Sequence, residues 1–277
     1  MGLFFQKNSV PTGRRLTGFP RYAELISRDF KLFLGANLLT LFFLLPFLIG
    51  LSISLMSTSI LLLIPTCLIG GAIAGPAIAS LCDITLRSLR DTPGLCLAHY
   101  KKAWKQNWKQ SVVPGILLFT LIGADTFMIM MLWISKRPVG FGTIGIFLCG
   151  LILMLMFFST FWSQVVLFQQ SGLQSARNSL FFMIRYFWKV LGCAILKILY
   201  WGCILLFMPV SSILVPFFGL WFIEFSVNFL LYNALNTTFR IEEQIAENFP
   251  EQVPFYEDDQ EWLKRKQNEQ RRPPSES

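Results

Sequence analysis

The sequence predicts an all-α polytopic membrane protein, a bundle of six transmembrane helices with both termini cytoplasmic. Residues of the AVILMFWYC set fill 54% of the 277 positions, charged residues fill only 14%, and the mean hydropathy is +0.55. A soluble core of this size has no room for so much apolar surface. The apolar residues also fall into six continuous runs, each near the roughly 20 residues a helix needs to cross a hydrocarbon core. They lack the ten-residue alternation of a membrane β-barrel. Finally, nearly all the basic residues lie on one side of that pattern, which sets the orientation. Hydrophobicity excludes disorder, and six cysteines without CxxC spacing exclude a disulfide scaffold.

Residues 1–31 form a basic and aromatic cytoplasmic segment. They carry six Lys and Arg and no apolar core of signal length, so no cleavable leader is expected. The transmembrane domain occupies 32–240, with spans at 32–55, 59–81, 112–134, 140–166, 190–208 and 211–235. Ser57-Thr58-Ser59 makes a polar break between the first two. Pro46, Pro65 and Pro76 predict kinks within spans, because neighbouring helices and hydroxyls can satisfy the freed carbonyls. Lys and Arg number six in 82–111, three in 167–189 and six in 240–277, against only Lys136 and Arg137 on the opposite side. The outer connections are a few residues each and leave no space for an external domain. Residues 241–277 read as a charged, mobile cytoplasmic tail with Glu257–Glu261 acidic and Lys264–Arg272 mostly basic. The positive charge of the rest sits where anionic headgroups would meet it, so the partner it implies is the lipid bilayer and not nucleic acid. The six cysteines are expected as reduced, buried thiols.

Between spans two and three, 82–111 reads as a cytoplasmic amphipathic loop. Leu97, Tyr100, Trp104 and Trp108 recur at helical spacing, flanked by Lys101, Lys102, Lys105 and Lys109. Rings on one face beside lysines suit a helix in the inner headgroup layer or a docking helix for a cytoplasmic partner. Here the chain resembles the YesL-like family of bacterial integral membrane proteins, whose domain is formally of unknown function. Asn37-Leu-Leu-Thr-Leu-Phe-Phe-Leu-Leu-Pro46 is similar to that family's first-span motif. Gly75-Pro76-Ala77-Ile78-Ala79-Ser80-Leu81 resembles its "GPATAAL" signature, and Leu86-Arg87 through Trp104-Lys105-Gln106-Asn107-Trp108-Lys109-Gln110-Ser111 its "LR…F…F..NFKQS" loop. The resemblance covers residues 20–240. An insertion between Gly50 and Gly71 gives two spans where short members have room for one. The resemblance implies a protein of the bacterial plasma (cell) membrane and, because some members are encoded beside carbohydrate uptake systems, an accessory to ABC-type permease or ATPase subunits. It supplies no catalytic or ligand-binding residues.

Three ionisable side chains fall within spans: Asp125, Lys197 and Glu224. Charges there are functional candidates by default. At 1.5 Å per residue, Lys197 lies about 10 Å and Glu224 about 16 Å from the cytoplasmic ends of antiparallel neighbours, close enough to pair. Asp125 comes out near Glu224 in depth. One reading is a structural Lys197–Glu224 pair, with Asp125 hydrogen-bonded or protonated. The other is a polar pocket or proton-coupled path for an autonomous small-solute transporter. Glu224, Asn228 and Tyr232 share one face of span six, which equally suits interhelical hydrogen bonding. Gly71, Gly75 and Ala79 present a small-residue face for close helix packing, expected within the chain. A membrane-organising role with no solute is the third reading. No enzyme is expected. His99 is the only histidine and cannot build a metal site, Cys96–His99 lacks an orienting partner, and no nucleotide-binding or hydrolase motif occurs. No cofactor or metal is implied.

Overall fold

The computed structural model describes residues 16–92, 94–135, 140–168 and 170–248. The chain folds into α1 (Gly18–Met56), α2 (Ile60–Pro65), a π-helical turn (Thr66–Gly70), α3 (Gly71–Leu89), α4 (Cys96–Ser135), α5 (Phe141–Leu167), α6 (Gly172–Arg185), α7 (Phe187–Leu206), a 3₁₀ turn (Val210–Leu214), α8 (Val215–Phe239) and α9 (Ile241–Asn248). No β-strand occurs among the described residues. Six helical stretches are long and apolar enough to cross a membrane: α1, α2 to α3 through the π turn, α4, α5, α7, and α8 with the 3₁₀ turn before it. Each overlaps one run read from the sequence. Pro46, Pro76 and Pro114 lie inside continuing helices. At Pro65 the ladder passes into the π turn instead of ending, as expected where proline removes one backbone donor.

The segment 82–111 is not a loop. Residues 82–89 continue α3 and residues 96–111 open α4, leaving a connection of only a few residues, of which Pro93 lies outside the described set. Likewise α1 begins at Gly18, so its first turns belong to the bundle and not to a separate segment before residue 32. Polar residues end an apolar run, but they do not end a helix whose backbone bonds and buried faces continue.

Between the fourth and fifth spans stands a further helix, α6, within 167–189. Ser171 caps it, its side chain accepting from the Gln174 N–H at 3.3 Å. Phe182 is buried, its ring near Phe239 of α8, while Leu173, Phe181 and Ile184 are exposed beside Arg177 and Arg185. Past α8, Arg240 adopts a left-handed φ of 49° and separates α8 from α9. The expected tail beyond Asn248, and Lys136 and Arg137 in the α4–α5 connection, lie outside the described residues. The cysteines are all free, but Cys149 and Cys203 are exposed on the helix surface, and only the other four are buried.

α3 is the central helix, packed against α1, α4, α5 and α8. Its small-residue face meets α4. A Cβ added at Gly71 would lie 2.7 Å from the Ile116 Cα, and one added at Gly75 would lie 2.9 Å from the Gly115 Cα. Gly115 answers in kind, a Cβ there falling 2.5 Å from the Gly75 Cα. Ala79 is fully buried one turn further on. Backbones this close gain dispersion contacts that lipid cannot supply, which is the chief driving force between helices in a bilayer.

Candidate functional site

Most buried polar groups gather toward the end of the bundle where α1 begins and α3 ends. α3 closes there in a Schellman motif: the Thr92 N–H reaches the Arg87 carbonyl at 3.1 Å and the Asp91 N–H the Ser88 carbonyl at 3.1 Å. Asp91 takes the left-handed position with φ 58°, a conformation a short polar side chain tolerates. That turn aims its carboxylate at α1, where it accepts hydrogen bonds from both Arg21 and Arg28. Arg28 also holds Asp29 at 2.7 Å, and Asp29 accepts from the Ser88 hydroxyl. Arg87 and Asp83 pair along α3 at 2.7 Å. Arg90, just past α3, is partly buried among these charges. Burial lowers its pKa, while Asp83, Tyr232 and Glu242 pull the other way. Sequence reasoning used these charges only to orient the chain. Arg28 and Asp91 are far apart in sequence, and their meeting depends on how α1 lies against α3.

One turn beyond this lattice, Asn228 of α8 sits fully buried between two other helices. Its amide donates to Thr85 of α3 at 2.8 Å and its carbonyl accepts from Ser163 of α5 at 3.0 Å. Lys197 and Glu224, as expected, form a pair: Nζ donates to Oε2 at 3.1 Å, with side chains 10% and 9% exposed. Tyr232 shares the α8 face but turns to Glu242 of α9, donating at 3.0 Å. The stripe therefore joins separate interhelical contacts and does not line an open channel.

Asn37, which opens the first-span motif, has a role the sequence did not suggest. It is fully buried, and its amide donates to the Val215 and Pro216 carbonyls at 3.0 and 2.8 Å. Its carbonyl accepts from the Leu220 and Trp221 N–H groups at 2.9 and 3.2 Å. One side chain thus holds the first turns of α8, where Pro216 interrupts the donor ladder.

The aromatic stripe of α4 divides. Tyr100 is buried, its hydroxyl 3.0 Å from that of Thr40 and donating to the Ala77 carbonyl at 3.3 Å. Trp104 packs on Phe43 with ring centroids 4.4 Å apart. These two hold α4 to α1 and are not free to dock a partner. Trp108 is 49% exposed, and Lys101, Lys105 and Lys109 are exposed on the same stretch.

Asp125 lies apart from the Lys197–Glu224 pair. It lines a cavity of about 940 Å³ between the far halves of α4 and α5, whose other walls include Ile129, Trp133, Phe147, Leu148 and Met154 and neither Lys197 nor Glu224. No hydrogen bond or ion pair reaches its carboxylate among the described residues. Glu224, read as near Asp125 in depth, is thus separated from it laterally: α4 packs chiefly on α1, α3 and α5, and α8 chiefly on α1, α3 and α7.

No group of three or more His, Cys, Asp or Glu able to hold a metal occurs among the described residues. The family model described as "Protein of unknown function, DUF624" matches residues 33–129, which run from α1 through α2 and α3 into α4. Neither a curated protein nor a solved structure matches the sequence.

Proposed function

We propose that this chain is a non-enzymatic multi-pass protein of the bacterial plasma membrane, YesL-like in kind, that acts as an accessory to an ABC-type carbohydrate uptake system. Both termini face the cytoplasm. The protein works by presenting a rigid helical frame, laterally and from its inner face, to permease or ATPase subunits. The observation that carries this reading is that the buried charge pair and Asn228 serve packing inside the bundle. Lys197 holds Glu224, and Asn228 joins α3, α5 and α8. A transport path built on Asp125, Lys197 and Glu224 together loses its basis when Asp125 lines a separate cavity. The carbohydrate system itself rests on the family resemblance.

The exposed lysines of α4 with Trp108 form the inner docking face, and α6 lies in the headgroup layer with Leu173, Phe181 and Ile184 toward the acyl chains. The experiment is cross-linking in the native membrane, extraction in mild detergent and identification of stoichiometric companions. Permease or ATPase subunits should accompany the wild type and fall at least about tenfold with Lys101, Lys105 and Lys109 all changed to Glu, a charge reversal that complementary interfaces do not tolerate. Recovery of the protein alone from cross-linked membranes would refute the accessory role.

A further inference from the structure

The cavity between α4 and α5 is unlike the rest of the bundle. Toward the basic end Arg21, Arg28, Asp29 and Asp91 bind one another, whereas this cleft holds a single carboxylate with no partner among the described residues. Of the two threonines in its lining, Thr126 donates to its own helix at the Ile122 carbonyl, 2.7 Å away. The far half of α5 stands free: Phe141 is 95% exposed and Ile146 76%. Added Cβ atoms at Gly142, Gly145 and Gly150 would meet nothing within 4 Å. The cleft is therefore open along its side and walled by apolar and aromatic side chains.

Asp125 lies ten residues before the end of α4, about 15 Å down the helix at 1.5 Å per residue. That depth decides the occupant. A lipid acyl chain would fill the volume but leave the carboxylate facing hydrocarbon, an expensive placement. A phospholipid headgroup stays at the interface and does not descend that far. The group that suits both the apolar walls and the lone negative charge is a compact lipophilic cation, with its charge at Asp125 and its apolar body against Ile129, Leu148 and Met154. Trp133 and Phe147 add aromatic surface to the α4 and α5 walls for that apolar body. We propose that this cleft is a binding site for lipophilic organic cations, such as quaternary ammonium or phosphonium compounds, with Asp125 as the charge-recognising residue.

The test uses the full chain purified in maltoside detergent, with tetraphenylphosphonium as probe and the nearly isosteric anion tetraphenylborate as control, measured by equilibrium dialysis. The wild type should bind the cation saturably at one per chain. Asp125→Asn should weaken that binding at least tenfold, Asp125→Glu should retain most of it, and Leu148→Trp should weaken it by narrowing the cleft. Unchanged gel-filtration profiles establish that the variants remain folded. Equal, non-saturating uptake of cation and anion would overturn the proposal and leave the cleft as a seat for lipid. So would undiminished cation binding by Asp125→Asn. A wild type that is dimeric, and becomes monomeric with Leu148→Trp while binding no cation, would overturn it in favour of a second copy of the chain in the cleft.

Discussion

Changing Lys197 to Met leaves Glu224 buried beside an apolar side chain. At the observed 3.1 Å and an effective dielectric near 20, the two charges attract by about 5 kcal/mol. Taking each ion out of water opposes this by several kcal/mol, so the intact pair is worth little more than two apolar residues of the same volume. The two terms separate when one partner is removed. Glu224 then keeps its desolvation penalty and loses its attraction. Its other oxygen, Oε1, has no hydrogen-bond partner among the described residues to share the charge. Lys197→Met and Glu224→Met should each destabilise by about 3 to 5 kcal/mol. At about 2 to 4 °C per kcal/mol, that is roughly 6 to 20 °C in apparent Tm. The double variant should return to within about 1 kcal/mol of wild type, since Met at both positions replaces ions with packing atoms. The assay is the surviving gel-filtration peak after heating detergent-solubilised protein. Single variants that unfold within about 2 °C of wild type, or a double variant as unstable as the sum of the singles, would refute the coupled buried pair.

Other contacts make equally specific forecasts. Gly75→Ala should cost about 1 to 3 kcal/mol because the new methyl meets the α4 backbone. Gly145→Ala, which meets nothing, should be neutral or stabilising by up to about 1 kcal/mol; heat survival of the pair checks this. Asn37→Leu removes four hydrogen bonds at the start of α8 and should cost about 2 to 4 kcal/mol, with faster amide exchange confined to the first turns of α8. Asp91→Asn keeps the left-handed turn but withdraws the charge shared by Arg21 and Arg28. It should cost about 3 kcal/mol, near the lower end for a broken buried pair because Arg28 retains Asp29. Increased proteolysis near residues 90–95 would register it, and unchanged heat survival would contradict it.

Much of the polar geometry was beyond a linear reading. Lys197 and Glu224 could be paired from depth alone because α7 and α8 are consecutive, antiparallel and joined by a short turn, so position along one helix converts to position along the other. The same conversion failed for Asp125: depth says nothing about which flank of a bundle a helix occupies. The stripe at Tyr100 and Trp104 was legible as a helical face, but its target was α1 and not the headgroups. Aromatic rings beside lysines suit either surface. The α6 helix left a signal in Ser171 as a cap and in the spacing of Leu173, Phe181 and Ile184, and fifteen-odd polar and apolar residues between two spans hid it.

The sequence by itself determined that the chain forms six helices able to cross a membrane and roughly where each lies. Hydrocarbon forces backbone groups to bond within their own segment, so an apolar run of sufficient length has one local solution. It also indicated that Pro46, Pro65 and Pro76 would not end their spans. Only the tertiary structure decided which faces meet. Lipid is as apolar as a helix interior, so an all-round apolar stretch such as the first half of α5 carries no stripe pointing to its neighbours. Rotation and neighbour choice were settled instead by a few specific contacts: Gly75 against Gly115, Asn37 on the first turns of α8, and Asp91 between two arginines of α1. The same packing left Asp125 in a cleft with no partner among the described residues, while pairing Lys197 with Glu224.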